Sequence, residues 1–247
     1  MIPKIIHYCW LSGDPYPPKI KKCLKSWSKI IPNYELVLWD YQKCKEENIL
    51  NDWVREAFIN KKYAFASDFI RLYAVHKYGG IYLDTDIEVI KPFDDLLNLP
   101  YFIGKEAIGN RVEIAAFGAE KGCKWIELCL QYYKNRHFIK KDNSLDMKVM
   151  PDIVHETITP HLIINDIQNI STFNYDYNIF NIFPNDWFCA NVYLDKSNKK
   201  PSYIVSDQTY CIHHFANTWL KDSKRNQIKQ NIKNYIRKLN IFKNNKK

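Results

Sequence analysis

The sequence predicts an α/β fold in which a Rossmann-like, mixed, mainly parallel sheet is flanked by helices and followed by a basic C-terminal helix. Three observations carry this. Strand, helix and strand follow one another within the first ~40 residues, the usual opening of a parallel α/β sheet. The strongest helical pattern, Tyr63–Tyr78, is apolar nearly all round, so it belongs in an interior. A short apolar strand then follows it directly across Gly79-Gly80.

In order along the chain, Lys4–Trp10 reads as a buried first strand running into the turn residues Leu11-Ser12-Gly13-Asp14-Pro15. A helix is expected to start near Pro18, and Tyr34–Trp39 is a second strand. The 63–78 helix carries Phe65, Ala66, Phe69, Ile70, Leu72, Tyr73, Ala74 and Val75, and Gly79-Gly80 stops it. Ile81-Tyr82-Leu83 is a short central strand, followed by Asp84-Thr85-Asp86 and a further strand Ile87–Ile90 ended by Pro92. Trp125–Tyr133 and Asp152–Thr157 look helical; Ile179–Phe183 and Tyr203–Val205 look extended. No repeat or low-complexity linker interrupts the chain, so residues 1–220 are expected to form one domain and 221–247 a basic amphipathic tail.

At 46% hydrophobic and 15% aromatic, the 247 residues suffice for a full core, which excludes wholesale disorder. No apolar run approaches the ~20 residues that span a bilayer. The N-terminus lacks a basic-then-apolar signal segment, so a cytoplasmic location is expected. Seven cysteines without Cys-X-X-Cys spacing read as reduced, mostly buried thiols, not a zinc site. The net charge of +9 resides in the tail: residues 221–247 hold ten basic residues and one acid, leaving 26 of each sign in the body. A neutral body argues against nucleic acid as a partner, because affinity there scales with the phosphates a surface neutralises.

Asp84 and Asp86 flank one residue at the end of the central strand. Two carboxylates so spaced can each send an oxygen to one hard divalent cation, Mn²⁺ or Mg²⁺, shared with a diphosphate. Their place suits this, since ligands of α/β sheets bind outside the carboxyl ends of strands. Asp68 and Arg71, three apart on an otherwise apolar helix, either form a structural ion pair or border the ligand pocket. Trp10, closing the first strand, is either core or a face for stacking on a base. Near the C-terminus, Ile212-His213-His214-Phe215-Ala216-Asn217-Thr218-Trp219 gathers polar and aromatic groups. Neighbouring strand residues point to opposite faces, so only one of the two histidines is expected to meet the acidic pair.

The block Ala66-Ser67-Asp68-Phe69-Ile70-Arg71-Leu72-Tyr73, continued by Tyr78-Gly79-Gly80-Ile81-Tyr82-Leu83-Asp84-Thr85-Asp86, closely resembles the DXD sugar-binding region of glycosyltransferase family 32. That family includes initiating mannosyltransferases and capsular-polysaccharide enzymes. The pattern is also similar to the catalytic domain of clostridial glucosylating toxins. Ile2–Trp10 looks like the family's first strand and His213-His214…Trp219 like its closing motif. The resemblance implies a GT-A fold and a metal-dependent, retaining transfer from a nucleotide-sugar donor, most readily a UDP-sugar, with a GDP-mannose donor as the alternative. A glycan acceptor in cell-surface or capsular polysaccharide, lipid-linked in one version, is implied too. Carried over by residue, Trp10 would stack on the base, Asp68 and Arg71 would bind ribose or donor sugar, and Tyr82 would contact the nucleotide. Asp84 would reach donor hydroxyls as well as the metal, Asp86 and His214 would be metal ligands, Trp219 would face the diphosphate, and Asp84, Asp86 and Arg71 would carry the chemistry. Two departures, at Glu113–Ala119 and Val149-Met150-Pro151, fall in regions that shape the sugar and acceptor pocket, leaving the donor open.

Two other readings are weaker. Phosphatases with an Asp nucleophile also place Asp-X-Asp after a strand, but on the first strand. A basic binding protein would act through the tail. Within the tail, Ile228, Ile232, Tyr235, Ile236, Leu239 and Phe242 recur at helical spacing. Residues 222–247 therefore form either a packed terminal helix or one lying on the inner face of an anionic membrane.

Overall fold

The computed structural model describes residues 1–106, 111–194 and 201–216. The tail, with Trp219, lies outside them. Strand β1 (Ile5–Cys9), helix α1 (Pro18–Ile30) and strand β2 (Glu35–Trp39) form the expected opening, with β1 and β2 parallel. Two short helices follow, α2 (Tyr41–Glu46) and α3 (Asp52–Ile59). Each starts at a capping side chain: Asp40 accepts from the Lys43 amide and Asn51 from the Val54 amide.

Helix α4 (Tyr63–Tyr78) has the predicted bounds and leads straight into β3 (Gly80–Leu83), then β4 (Ile87–Val89). Strands β5 (Tyr101–Lys105) and β6 (Val112–Ala119) complete a five-stranded sheet in the order β2-β1-β3-β6-β5. Because β6 is antiparallel to both β3 and β5, four of the five strands share one direction. The sheet is thus mixed but mainly parallel, and the α/β architecture with helices flanking it is the one expected.

Helices α5 (Lys124–Gln131) and α6 (Met150–Ile158) precede a parallel pair, β7 (Ile163–Asp166) and β8 (Ile179–Ile182). Short helix α7 (Asn185–Phe188), β9 (Asn191–Leu194), β10 (Pro201–Ile204) and β11 (Cys211–His213) follow. One edge of β4 pairs with β11. Helix α1 supplies the remaining partners: Trp27 Nε1 donates to the Ile87 carbonyl at 2.8 Å, and Ser26 Oγ accepts from the Val89 amide at 2.9 Å. β4 is thereby held between a strand and a helix, which fixes the turn preceding it.

The core lies around α4 and the sheet, and Ala66, Ile70, Leu72, Ala74 and Val75 are fully covered. A helix without a polar face has no stable place elsewhere. All seven cysteines are free and five are buried, as expected. No helix among the described residues is long and apolar enough to cross a membrane.

Candidate active site

β1 and β3 are parallel neighbours, and a cleft of about 840 Å³ opens where both end. The loop after β1 contributes Trp10 and Asp14 to it, α4 contributes Asp68 and Arg71, and the turn after β3 contributes Asp84 and Asp86. Arg111 and Met150 lie along its wall, and His213 enters from β11.

The Asp84–Asp86 segment is a tight turn. The Asp84 amide donates to the Ala115 carbonyl at 2.8 Å, continuing the sheet, and the Asp84 carbonyl accepts from the Ile87 amide at 2.9 Å. One oxygen of Asp86 accepts from the Ala216 amide at 2.7 Å. Its other oxygen lies 3.6 Å from His213 Nε2. Oxygens of Asp84 and Asp86 and a ring nitrogen of His213 all lie within 4.8 Å of one another. Two carboxylates and an imidazole form a donor set that could hold a divalent cation.

Arg71 lies behind this cluster. Its guanidinium donates to the Ile114 carbonyl at 3.0 Å and to Ser67 Oγ at 3.1 Å, and pairs with Asp68 at 3.3 Å and Asp84 at 3.4 Å. It also sits over the Tyr82 ring at 4.6 Å, while Tyr82 donates to Asp84 at 2.8 Å. Asp68 and Arg71 therefore pair with each other and also line the cleft.

Burial dominates the electrostatics. It pushes the Asp68 carboxyl up to about 7, Arg71 pulling the other way and Asp84 adding to the rise. Asp84 is raised by burial and by the Asp86 charge, against the pull of Arg71. For His213 burial alone would lower the imidazole, but Glu113 and Asp86 outweigh it and lift the ring to about 9. Four carboxylates (Asp68, Asp84, Asp86, Glu113) thus face one arginine and one imidazole. That surplus of negative charge is what a divalent cation would neutralise.

Of the two histidines, the one that meets the aspartates is His213. The expected ligand, His214, points its ring elsewhere, Nε2 to Glu88 at 2.7 Å and Nδ1 to Tyr203 at 3.0 Å. The physical reason is position: His213 is the last residue of β11, paired with Ile87 beside the aspartates, while His214 follows the strand and is taken up by Glu88 and Tyr203. Trp10 lines the cleft with its Nε1 donating to the Asp14 carbonyl at 2.7 Å and its ring 4.8 Å from Tyr16. Tyr82 also lines it. Glu113 was not expected as a site residue, although it is the lone charge in the buried run Val112–Ala119 and could have been found on that ground. Glu106 and Arg111, paired at 3.0 Å on the cleft wall, left no comparable signal.

Residues 17–103, which include α4 and the Asp84–Asp86 turn, match a family described as a glycosyltransferase sugar-binding region containing a DXD motif. Inositol phosphoceramide mannosyltransferase 3 of Schizosaccharomyces pombe is 35% identical over 117 residues, 45% of this chain and 32% of that protein. This chain therefore spans about a third of that relative's length. An uncharacterized glycosyltransferase of Acanthamoeba polyphaga mimivirus is 26% identical over 211 residues, 80% of this chain and 82% of the viral protein. Among solved structures, the PaToxG glycosyltransferase overlaps 64% of this chain and 68% of its own at 20% identity, with a TM-score of 0.47. Through its DXD-type sugar-binding region, the chain is related to fungal and viral glycosyltransferases.

Proposed function

We propose that this chain is a metal-dependent glycosyltransferase that moves a hexosyl group from a nucleoside-diphosphate sugar to an acceptor hydroxyl. The observation that carries the reading is the convergence in one cleft of Asp84 and Asp86, which lie inside the segment that matches a sugar-binding region, with His213 from the distant β11. The named fungal relative is a mannosyltransferase, so GDP-mannose is favoured here over the UDP-sugar expected from the sequence. Resemblance to family 32 adds retention of the donor's α configuration and a glycan or glycolipid acceptor.

Asp84, Asp86 and His213 would hold the cation, which when bound neutralises charge on the diphosphate leaving group. The protein's own residues do the rest. Arg71, buried and multiply bonded, keeps the Asp84 carboxylate oriented and places positive charge beside the donor. Asp68 accepts from a sugar or ribose hydroxyl, Tyr82 contacts the nucleotide, and Trp10 offers its ring to the base. Trp219 is assigned to the diphosphate on the resemblance alone. Residues 1–220 would form the catalytic domain.

Release of nucleoside diphosphate, measured with GDP-mannose, UDP-glucose or UDP-galactose and Mn²⁺, tests the reading. GDP-mannose should be turned over fastest. Asp86→Ala should lower turnover by at least about 100-fold while leaving the metal-free melting temperature near the parent's. Turnover that survives EDTA unchanged would sink the metal assignment, and preference for a UDP-sugar would overturn the mannosyl one.

A further inference from the structure

Opposite Ile103 and Gly104 the pairing of β5 with β6 jumps from Phe117 to Glu113. The intervening β6 residues leave β5, and Ile114 and Ala115 among them line the cleft; such irregularities commonly re-aim side chains beside functional centres. Ile114 gives its carbonyl to Arg71 and Ala115 gives its carbonyl to the Asp84 amide. Glu113 opens this segment. It is 3% exposed, in a position where an unpaired carboxylate would be costly.

Both of its oxygens are used. One accepts from the Ala115 amide at 2.8 Å, and the other lies 3.1 Å from Nδ1 of His213. Only a ring that carries its proton on Nδ1 satisfies this carboxylate. Nε2 then points at Asp86, 3.6 Å away, with its lone pair available once a cation takes the place of a proton. We infer that Glu113 is a positioning residue: by taking the Nδ1 proton of His213 in a hydrogen bond, it fixes the ring and tautomer that present Nε2 to a divalent cation shared with Asp84 and Asp86. This rests on the reading of those three residues as a cation site.

Glu113→Gln separates orientation from charge with little change of shape. The Ala115 amide needs an acceptor, so it pins the new amide with its oxygen toward Ala115 and its NH₂ toward His213. Nδ1 must then accept, which moves the ring proton to Nε2 and aims it at the cation position. Mn²⁺ affinity, read from the free-ion EPR signal, should fall about 10–100-fold. The same substitution made in a His213→Ala background should cost nothing further, because the effect passes through the ring. A loss of equal size in that background would show that Glu113 acts by another route and would overturn the inference, as would Mn²⁺ binding within twofold of the parent. Nitrogen-15 histidine spectra of the unsubstituted, Mg²⁺-saturated protein supply a check that needs no folded Glu113 variant. His213, assigned by its disappearance in His213→Ala, should be protonated on Nδ1, and protonation on Nε2 would refute the proposal. If the parent chain binds no Mn²⁺ at all, the cation-site reading fails and this inference with it. If the parent binds and Glu113→Gln binds equally, only the inference fails.

Discussion

His7, in the middle of β1, is 1% exposed and has both ring nitrogens committed. Nε2 donates to the Gly79 carbonyl at 2.9 Å, and Nδ1 accepts from Trp39 Nε1 at 3.2 Å. A second proton would have to sit on Nδ1 facing the Trp39 N–H. Burial pushes the imidazole from 6.5 down to about 4, with the Gly79 carbonyl pulling partly the other way. As pH falls, the unfolded chain therefore takes up this proton before the folded one. The stabilisation from a neutral His7 is complete above about pH 6.5 and is lost progressively towards pH 4, where it has cost about 3 kcal/mol. Melting temperatures of the parent should drop across that window. A His7→Gln variant, whose amide can serve both partners, should show a shallower drop. Parallel curves for the two proteins would assign the acid sensitivity to other groups.

At the scale of elements, the break between α4 and β3 decides where the site lies. Gly79 and Gly80 have φ of +69° and +109°, and a Cβ on Gly80 would lie 2.7 Å from the Ile5 carbonyl oxygen. The chain thus leaves the helix and enters the sheet within two residues, pressed against β1, which brings Arg71 and Asp84 together from opposite sides of the turn. Gly13 also has a positive φ, +71°, but its Cβ would meet open space. Gly13→Ala should therefore cost about 1 kcal/mol of backbone strain alone, while Gly80→Ala adds overlap with backbone and should cost roughly 3 kcal/mol. Denaturant melts of the two variants compare the terms directly. Equal losses would mean that β1 and β3 can separate without penalty.

For the molecule as a whole, charge is distributed unevenly along the chain. Residues 1–220 balance 26 basic against 26 acidic side chains, while the following segment carries ten basic residues and one acid. We propose that this basic tail holds the enzyme on an anionic membrane, where a lipid-linked acceptor would lie. Each Lys or Arg near such a surface contributes about 1 kcal/mol, so four or five engaged charges would give salt-sensitive attachment. Vesicles containing anionic lipid should co-sediment the full chain and not one shortened to residues 1–221. Equal sedimentation of both, or of neither, would leave the tail with a packing role.

By itself the sequence determined what local chemistry decides. The nearly all-apolar helix, the glycine pair that ends it, the apolar strand and the two aspartates after it lie in one block of 24 residues, Tyr63 to Asp86, and their periodicity, φ requirements and spacing can be read without a fold. Tertiary structure alone decided which distant groups complete the site. His213 and Glu113 are 100 residues apart in the chain and meet only because β11 pairs with β4 while β6 pairs with β3. The choice between His213 and His214 was open for the same reason. Alternation along a strand says that adjacent side chains part, but the face that meets the aspartates is set by the register His213↔Ile87, a property of two strands and not of one.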